Sequence, residues 1–306
     1  MALNTNFVSP NQELVLPILK EKKVRLFIKR EDLIHPYISG NKYRKLKYNV
    51  LEAQKRGFDT LLTFGGAFSN HIAAVAAAGK EYGLKTIGVI RGEELVTKIN
   101  ENSTLQYAQQ CGMKFKFVSR TVYKNKTSEE FINQLLEGFG KFYLIPEGGT
   151  NKLAVKGCEE ILTKQDANFD YISTCVGTGG TISGIVNCSK LGQQVLGFPA
   201  LKGDFLQDDI IKFTVRSNWK LMNSYHFGGY AKTTPQLINF INQFKKDTTI
   251  PLDPVYTGKM LFGLLDMING DYFKPETFIL AIHTGGLQGI AGMNASLRKK
   301  GGPIIE

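Results

Sequence analysis

Among the 306 residues of this chain, Lys42 is the side chain best placed for covalent chemistry. It stands in Ser39-Gly40-Asn41-Lys42-Tyr43-Arg44-Lys45-Leu46, just past a strand of alternating side chains, Val24 to Lys29. Tyr43, Leu46, Val50 and Ala53 recur every three or four residues, which predicts a helix from Lys42 to about Arg56 with one apolar face. Ser39 or Asn41 is expected to cap its first turn, and Gly40 lets the backbone come close to whatever lies above. A cation at the positive end of a helix is electrostatically misplaced. That placement has a use if the amine is held as a neutral imine. The alternative is a solvated basic face shared with Arg44, Lys45 and Lys47.

Three loops add to this. Each follows an apolar strand, mixes glycines with small hydroxyls, and opens a helix: Phe64-Gly65-Gly66-Ala67-Phe68-Ser69-Asn70-His71, Cys175-Val176-Gly177-Thr178-Gly179-Gly180-Thr181, and His283-Thr284-Gly285-Gly286. In an open α/β sheet ligands bind beyond the carboxyl ends of the strands, and helix N-termini there suit anions. Gly177, Thr178, Gly179, Gly180 and Thr181 make the best phosphate cradle, with small residues free to aim N–H groups at one anion. The loop is neither a Walker motif nor a dinucleotide fingerprint. Ser69, Asn70 and His71 form a second anion site suited to a carboxylate. Tight turns and a plain helix N-cap are the structural alternatives for these loops.

The elements that must carry these loops alternate. Strands are expected at Thr60–Phe64, Lys85–Ile90, Lys114–Val118, Phe142–Ile145, Tyr171–Cys175, Gln194–Phe198 and Phe278–His283, with helices between them. The helices include the alanine-rich run from Asn70 to about Gly83, then Asn102–Cys111, Ser128–Glu137, Lys152–Thr163, Thr181–Lys190, Pro235–Lys246, Tyr256–Ile268 and Leu287–Arg298. This is an α/β chain of βαβ units with a parallel sheet. Pro146 to Asn151 breaks the rhythm and reads as a crossing point between domains. Asn218 to Lys232 has no period.

Composition excludes some classes. There is no run of 18 apolar residues, so no membrane span is expected. The opening, Met1 to Asn11, is polar without a signal core and reads as cytoplasmic. Cys111, Cys158, Cys175 and Cys188 have neither zinc nor disulfide spacing, and with four scattered histidines no metal site is expected. The net charge of +11 is spread along the chain rather than gathered beside a recognition helix, so nucleic acid is not expected as a partner.

Taken in order, Ser-Gly-Asn-Lys-x-Arg-Lys-Leu, Gly-Gly-x-x-Ser-Asn-His, Gly-Thr-Gly-Gly-Thr, Asp253-Pro254-Val255-Tyr256-Thr257-Gly258-Lys259 and His283-Thr284-Gly285-Gly286 resemble one family. It is that of 1-aminocyclopropane-1-carboxylate deaminases and D-cysteine desulfhydrases, which use pyridoxal 5'-phosphate. The resemblance covers nearly the whole chain and is weakest from Leu201 to Gly229. It implies a fold type II enzyme like the tryptophan synthase β chain: two three-layer α/β/α domains with the cofactor in the cleft between them. Residues 1–47 with 148–306 would form the large domain and 48–147 the small one. A homodimer is implied, with a small amino acid as substrate.

It also implies roles. Lys42 would carry the cofactor and then act as acid and base. Asn70 would bond the phenolic oxygen, and residues Gly177 to Thr181 the phosphate. Ser69, Asn70 and His71 would take the substrate carboxylate, with Ser69 as a proton shuttle. Tyr256 would lie beside the ring, and Tyr230 would be a second active-site tyrosine. Core packing is the alternative for both. Two positions separate the branches: the deaminases carry Glu where Thr257 stands and Leu where Thr284 stands. A carboxylate at the pyridine nitrogen strengthens the electron sink, as opening a cyclopropane demands; a neutral hydroxyl suffices for a good β-leaving group. The expected reaction is therefore α,β-elimination from D-cysteine. Cyclopropane deamination is the rival, and a non-catalytic ligand-binding protein the alternative of another class. Ser39 replaces a usual Gly, and Leu287-Gln288-Gly289 departs from the family pattern.

Overall fold

The computed structural model describes residues 9–203 and 205–306, so most of the polar opening, Met1 to Val8, lies outside them. Two sheets organise the chain. The larger has the order β1-β2-β10-β7-β8-β9 and the smaller β5-β4-β3-β6. In the larger, β1 is Asn11–Glu13, β2 Arg25–Lys29, β7 Tyr171–Val176, β8 Gln194–Pro199, β9 Trp219–Leu221 and β10 Phe278–Ile282. In the smaller, β3 is Thr60–Gly65, β4 Lys85–Arg91, β5 Lys114–Val118 and β6 Tyr143–Ile145. Every pairing is parallel except that of β1 with β2.

Parallel strands covered on both faces read as unbroken apolar runs. All six residues of β3 are buried, and β7 and β10 are buried except at their first residue. Apolar clusters fill both faces of each sheet. The helix Asn70–Tyr82 needs its small residues: a Cβ on Gly79 would stand 2.2 Å from Thr86 Cγ2.

The expected strands and helices are present within a few residues, with additions. The short edge strand β1 and the helix Pro17–Lys22 precede β2. The stretch 201–229 holds a helix, Phe205–Ile211, and the edge strand β9. The helix expected at Lys152–Thr163 stops at Cys158, followed by turns and a 3-10 segment at Lys164–Asp166. No helix among the described residues is long and apolar enough to cross a membrane.

The larger sheet is built in two visits. The chain leaves it after β2, makes the smaller sheet, and returns at β7. Strand β10 then inserts between β2 and β7. Loops from the carboxyl ends of β2, β7 and β10 thereby face the loop after β3 across a crevice.

Candidate active site

Lys42 is the second residue of the helix Asn41–Lys55, whose N-cap is Gly40. Neither Ser39 nor Asn41 caps it, contrary to the sequence expectation: no side chain bonds the first turn. Ser39 Oγ instead donates to the Asp32 carbonyl (3.4 Å), and Asn41 Nδ2 to Thr181 Oγ1 (2.8 Å). The helix start is wedged against the end of β10. Gly40 has φ +62°, and a Cβ there would lie 2.0 Å from the Thr284 carbonyl oxygen. Asn41 N donates to that same oxygen (3.3 Å). Lys42 is thus fixed beside both the Gly177–Thr181 loop and Thr284. Its Nζ donates to Asn41 Oδ1 (3.2 Å), and burial lowers its pKa, favouring the neutral nucleophilic amine.

The solvated-face alternative fails residue by residue. Arg44 is buried and grips Glu31 through two bonds of 2.8 Å. Lys47 pairs with Glu160 at 2.6 Å. Lys45, 3% exposed, projects into the same crevice as Lys42. Its Nζ donates to the Gly148 carbonyl and Thr150 Oγ1 (both 3.0 Å) and to Thr178 Oγ1 (3.4 Å). Burial, with Lys42 as like-charged neighbour, pulls its pKa down to about 7. Sequence reasoning missed Lys45 as a site residue. The signal was available: it stands three positions after Lys42, on the same helix face.

The crevice is a cleft of ≈ 650 Å³ lined from both sheets. Lys42, Ser69, Asn70, His71, Gly177, Thr178, Gly179, Thr181, Tyr230, Tyr256 and Thr284 all border it. Gly180 and Thr257 do not. Gly180 opens the helix Gly180–Cys188, where a Cβ would press on Thr150 Oγ1 (2.9 Å) and Lys45 Nζ (3.2 Å). Thr257 is fully buried, and its hydroxyl donates to Asp253 Oδ1 (2.8 Å) and accepts from Asp253 N (2.9 Å). Its hydroxyl proton is therefore spent inside the protein, away from the cleft. Of the two threonines expected at the cofactor, Thr284 alone borders the cleft.

Asp253 explains the local geometry. Its carboxylate accepts from the N–H groups of Val255 (2.9 Å), Tyr256 (3.0 Å) and Thr257 (2.8 Å), as well as from the Thr257 hydroxyl. This anionic cap fixes the start of the helix Thr257–Asn269 and sets Tyr256 at its N-cap. Tyr230 meets Tyr256 edge to face, ring centroids 6.2 Å apart. Burial holds the Tyr256 phenol far above its ordinary pKa, and desolvation at the cleft raises that of Tyr230, 42% exposed, so both stay protonated.

On the opposite wall Ser69 caps the helix Asn70–Tyr82, its Oγ accepting from Ile72 N (3.3 Å). His71 is buried, and burial holds its pKa well below 6.5, so it is neutral. Thr63 Oγ1 gives its proton to the Ile145 carbonyl, so the 2.9 Å contact with His71 Nε2 makes that nitrogen the donor. Asn70 Nδ2 reaches the Gly285-Gly286 turn, where a Cβ on Gly286 would stand 2.8 Å away. The floor holds a pair that sequence reasoning passed over: Cys175 Sγ lies 2.9 Å from Thr284 Oγ1, and burial raises the thiol to about 12. Cys175 itself borders the cleft, as does Arg91. Arg91 carried no signal in its own strand.

The donor set can be tested against a phosphorylated pyridine aldehyde. A glycine turn, two threonine hydroxyls and the Lys45 ammonium at a helix N-terminus suit a phosphate. An amine whose pKa is lowered by burial suits an aldehyde. Gly177 leaves room for the Tyr256 ring, which a Cβ would approach to 3.2 Å. The residues fit the group. Sheet order and donor set together define a fold type II pyridoxal-phosphate enzyme.

Comparison with known proteins agrees. The chain belongs to the pyridoxal-phosphate dependent enzyme family, whose model matches residues 9–285. It is 34% identical over 295 residues to the Arabidopsis thaliana protein named bifunctional D-cysteine desulfhydrase/1-aminocyclopropane-1-carboxylate deaminase, mitochondrial, covering 87% of this chain and 73% of that one. It is 32% identical over 292 residues to a Pyrococcus horikoshii protein provisionally named 1-aminocyclopropane-1-carboxylate deaminase, covering 89% and 87%. The crystal structure of an ACC deaminase homologue superposes with TM-score 0.82 at 28% identity, covering 96% of this chain and 94% of that one. O-ureido-L-serine synthase, 14% identical with TM-score 0.68 over 92% and 90% of the two chains, shares the fold.

Proposed function

We propose that this enzyme eliminates the thiol of a small D-amino acid, D-cysteine first among them: D-cysteine and water give pyruvate, hydrogen sulfide and ammonia. The observation that carries this reading is the neutral floor of the cleft. Thr284 and Cys175 occupy it. The acidic residues that border the cleft, Asp253, Glu147 and Asp209, are committed to the helix cap, Lys126 (3.1 Å) and Lys212 (2.7 Å) respectively. Among the described residues, no carboxylate bordering the cleft is without such a partner, so the site suits a substrate with a good leaving group.

Bound pyridoxal phosphate supplies an electron sink that makes the substrate's α-hydrogen acidic. Gly177 to Thr181 and Lys45 would hold its phosphate, Asn70 its phenolic oxygen, and the Lys42 amine would hold its aldehyde. Ser69 and the amides at the start of the helix Asn70–Tyr82 orient the substrate carboxylate, with His71 a neutral neighbour. Lys42 takes the α-proton. Tyr256 and Tyr230, both protonated, are the donors available to the departing sulfur. In this reading residues 1–47 with 148–306 form the large domain, 48–147 the small one, and the enzyme works as a homodimer.

The second reading is cyclopropane deamination, supported by the names of the Arabidopsis and Pyrococcus relatives. Cofactor-loaded protein assayed for keto acid with the two substrates in parallel separates them. Pyruvate with sulfide from D-cysteine alone is the expected result. 2-Oxobutyrate from the cyclopropane would show that a neutral floor opens the ring and would overturn the argument.

A further inference from the structure

Lys259 is a second cation at the wrong end of a helix. It is the third residue of the helix Thr257–Asn269, where the dipole disfavours positive charge, and it is 1% exposed. No carboxylate contacts it among the described residues. Its Nζ donates instead to two carbonyls, those of His226 and Gly229, each at 2.8 Å. Burial pulls the ammonium down to about 8, the electrostatic cost of this arrangement.

Those carbonyls close two consecutive turns. His226 O also accepts from Gly229 N (3.0 Å), and Gly229 O from Lys232 N (3.2 Å). Tyr230 is the second residue of the second turn. The segment is wound against its preference: φ is +53° at Phe227, +88° at Gly228, +116° at Gly229 and +55° at Ala231. Side chains resist that region, so such a conformation persists only where surrounding contacts over-determine it. The helix Thr257–Asn269 supplies those contacts: Tyr225 OH donates to Asp266 (2.8 Å), Phe227 packs edge-on against Phe262 (5.0 Å), and Lys259 draws in the two carbonyls. Tyr256 is the N-cap of that same helix.

We propose that Lys259 is a positioning residue: by gripping the carbonyls of His226 and Gly229 it fixes the double turn that carries Tyr230, and so sets Tyr230 against Tyr256 at the cleft. The inference rests on the reading above in assigning Tyr230 to the reaction. The clamp itself is a matter of hydrogen bonds and is testable without turnover.

Hydrogen exchange of the cofactor-free protein tests the clamp. In Lys259→Met, which keeps the stem and removes the donors, the amides of Gly229 and Lys232 should exchange at least tenfold faster. The rest of the helix Thr257–Asn269 should be unchanged. Lys259→Arg, which keeps charge and donors, should restore most of the protection. It serves as the informative variant if the methionine form does not fold. Unchanged exchange in Lys259→Met, or fast exchange in both variants, overturns the clamp.

A kinetic cycle tests its purpose. Lys259→Met should lower kcat tenfold or more with cofactor absorbance retained, and should add little in a Tyr230→Phe background. Additive losses, or an unchanged kcat, overturn the link to Tyr230. If wild-type protein does not act on D-cysteine, the elimination reading falls by itself. The exchange arm still decides the clamp, and the bound cofactor's spectrum in the single and double variants then reports the link to Tyr230.

Discussion

The sharpest quantitative consequence concerns Lys45. With its amine at about 7 in the cofactor-free protein, about nine in ten copies are neutral at pH 8 and about one in ten at pH 6. A bound phosphate favours the ammonium, so binding should draw a proton onto Lys45: about 0.9 per site at pH 8 and about 0.1 at pH 6. Pyridoxine 5'-phosphate, which lacks the aldehyde and cannot bond to Lys42, reports this event once the proton change from its own phosphate, which ionises at about 6, is subtracted using the Lys45→Met variant. Calorimetry in two buffers of different ionisation enthalpy counts the protons. A charge-assisted hydrogen bond contributes about 1.5–3 kcal/mol, so Lys45→Met should weaken binding roughly 10- to 150-fold at pH 6. At pH 8 the ammonium must first be formed, at about 1.4 kcal/mol, and the penalty should shrink roughly tenfold. Equal penalties at both pH values, or a proton uptake that is the same in Lys45→Met, would refute the reasoning and place the titrating amine elsewhere. The same shift has a stability sign. The folded pKa lies below the unfolded value of about 10.4, so the unfolded chain binds more protons between them. This group's contribution to the cofactor-free fold should therefore rise with pH from about 7 to about 10, and be flat below 7.

Two structural predictions complete the set. Glu31→Ala removes the two short bonds to the buried Arg44 guanidinium, leaving Glu160 at 3.8 Å, and should cost about 1.5–3 kcal/mol, read as a fall in melting temperature of roughly 2–5 °C. An unchanged melt would show the pair to be dispensable. Gly40→Ala forces a methyl to within 2.0 Å of the Thr284 carbonyl and should destabilise the fold by more than about 3 kcal/mol. A variant that melts with the wild type would show that the Lys42 helix does not start against β10.

Much of the fold was written in local pattern. Alternating apolar strands and 3.6-residue helical periods depend only on neighbouring residues, and they placed most of the longer elements. The glycine loops and Lys42 were legible for the same reason, since each is a contiguous motif. The short edge strands β1 and β9 were not: three residues carry no period, and the larger sheet supplies their pairing.

What sequence alone determined is the chemistry on offer: a lysine at a helix start, three glycine loops that open helices and a hydroxyl in place of a carboxylate. What tertiary structure alone decided is which groups remain free to use it. Thr257 and Thr284 looked equivalent as neutral hydroxyls, yet the helix cap at Asp253 takes up one and leaves the other at the cleft floor. Nothing in the sequence marked Lys45 or Lys259 as buried, because charge in a sequence does not say whether water will reach it. Burial made both into structural donors, one toward the phosphate cradle and one toward the turn of Tyr230. Desolvation depends on every atom within reach, and residues far apart in the chain supply most of those atoms.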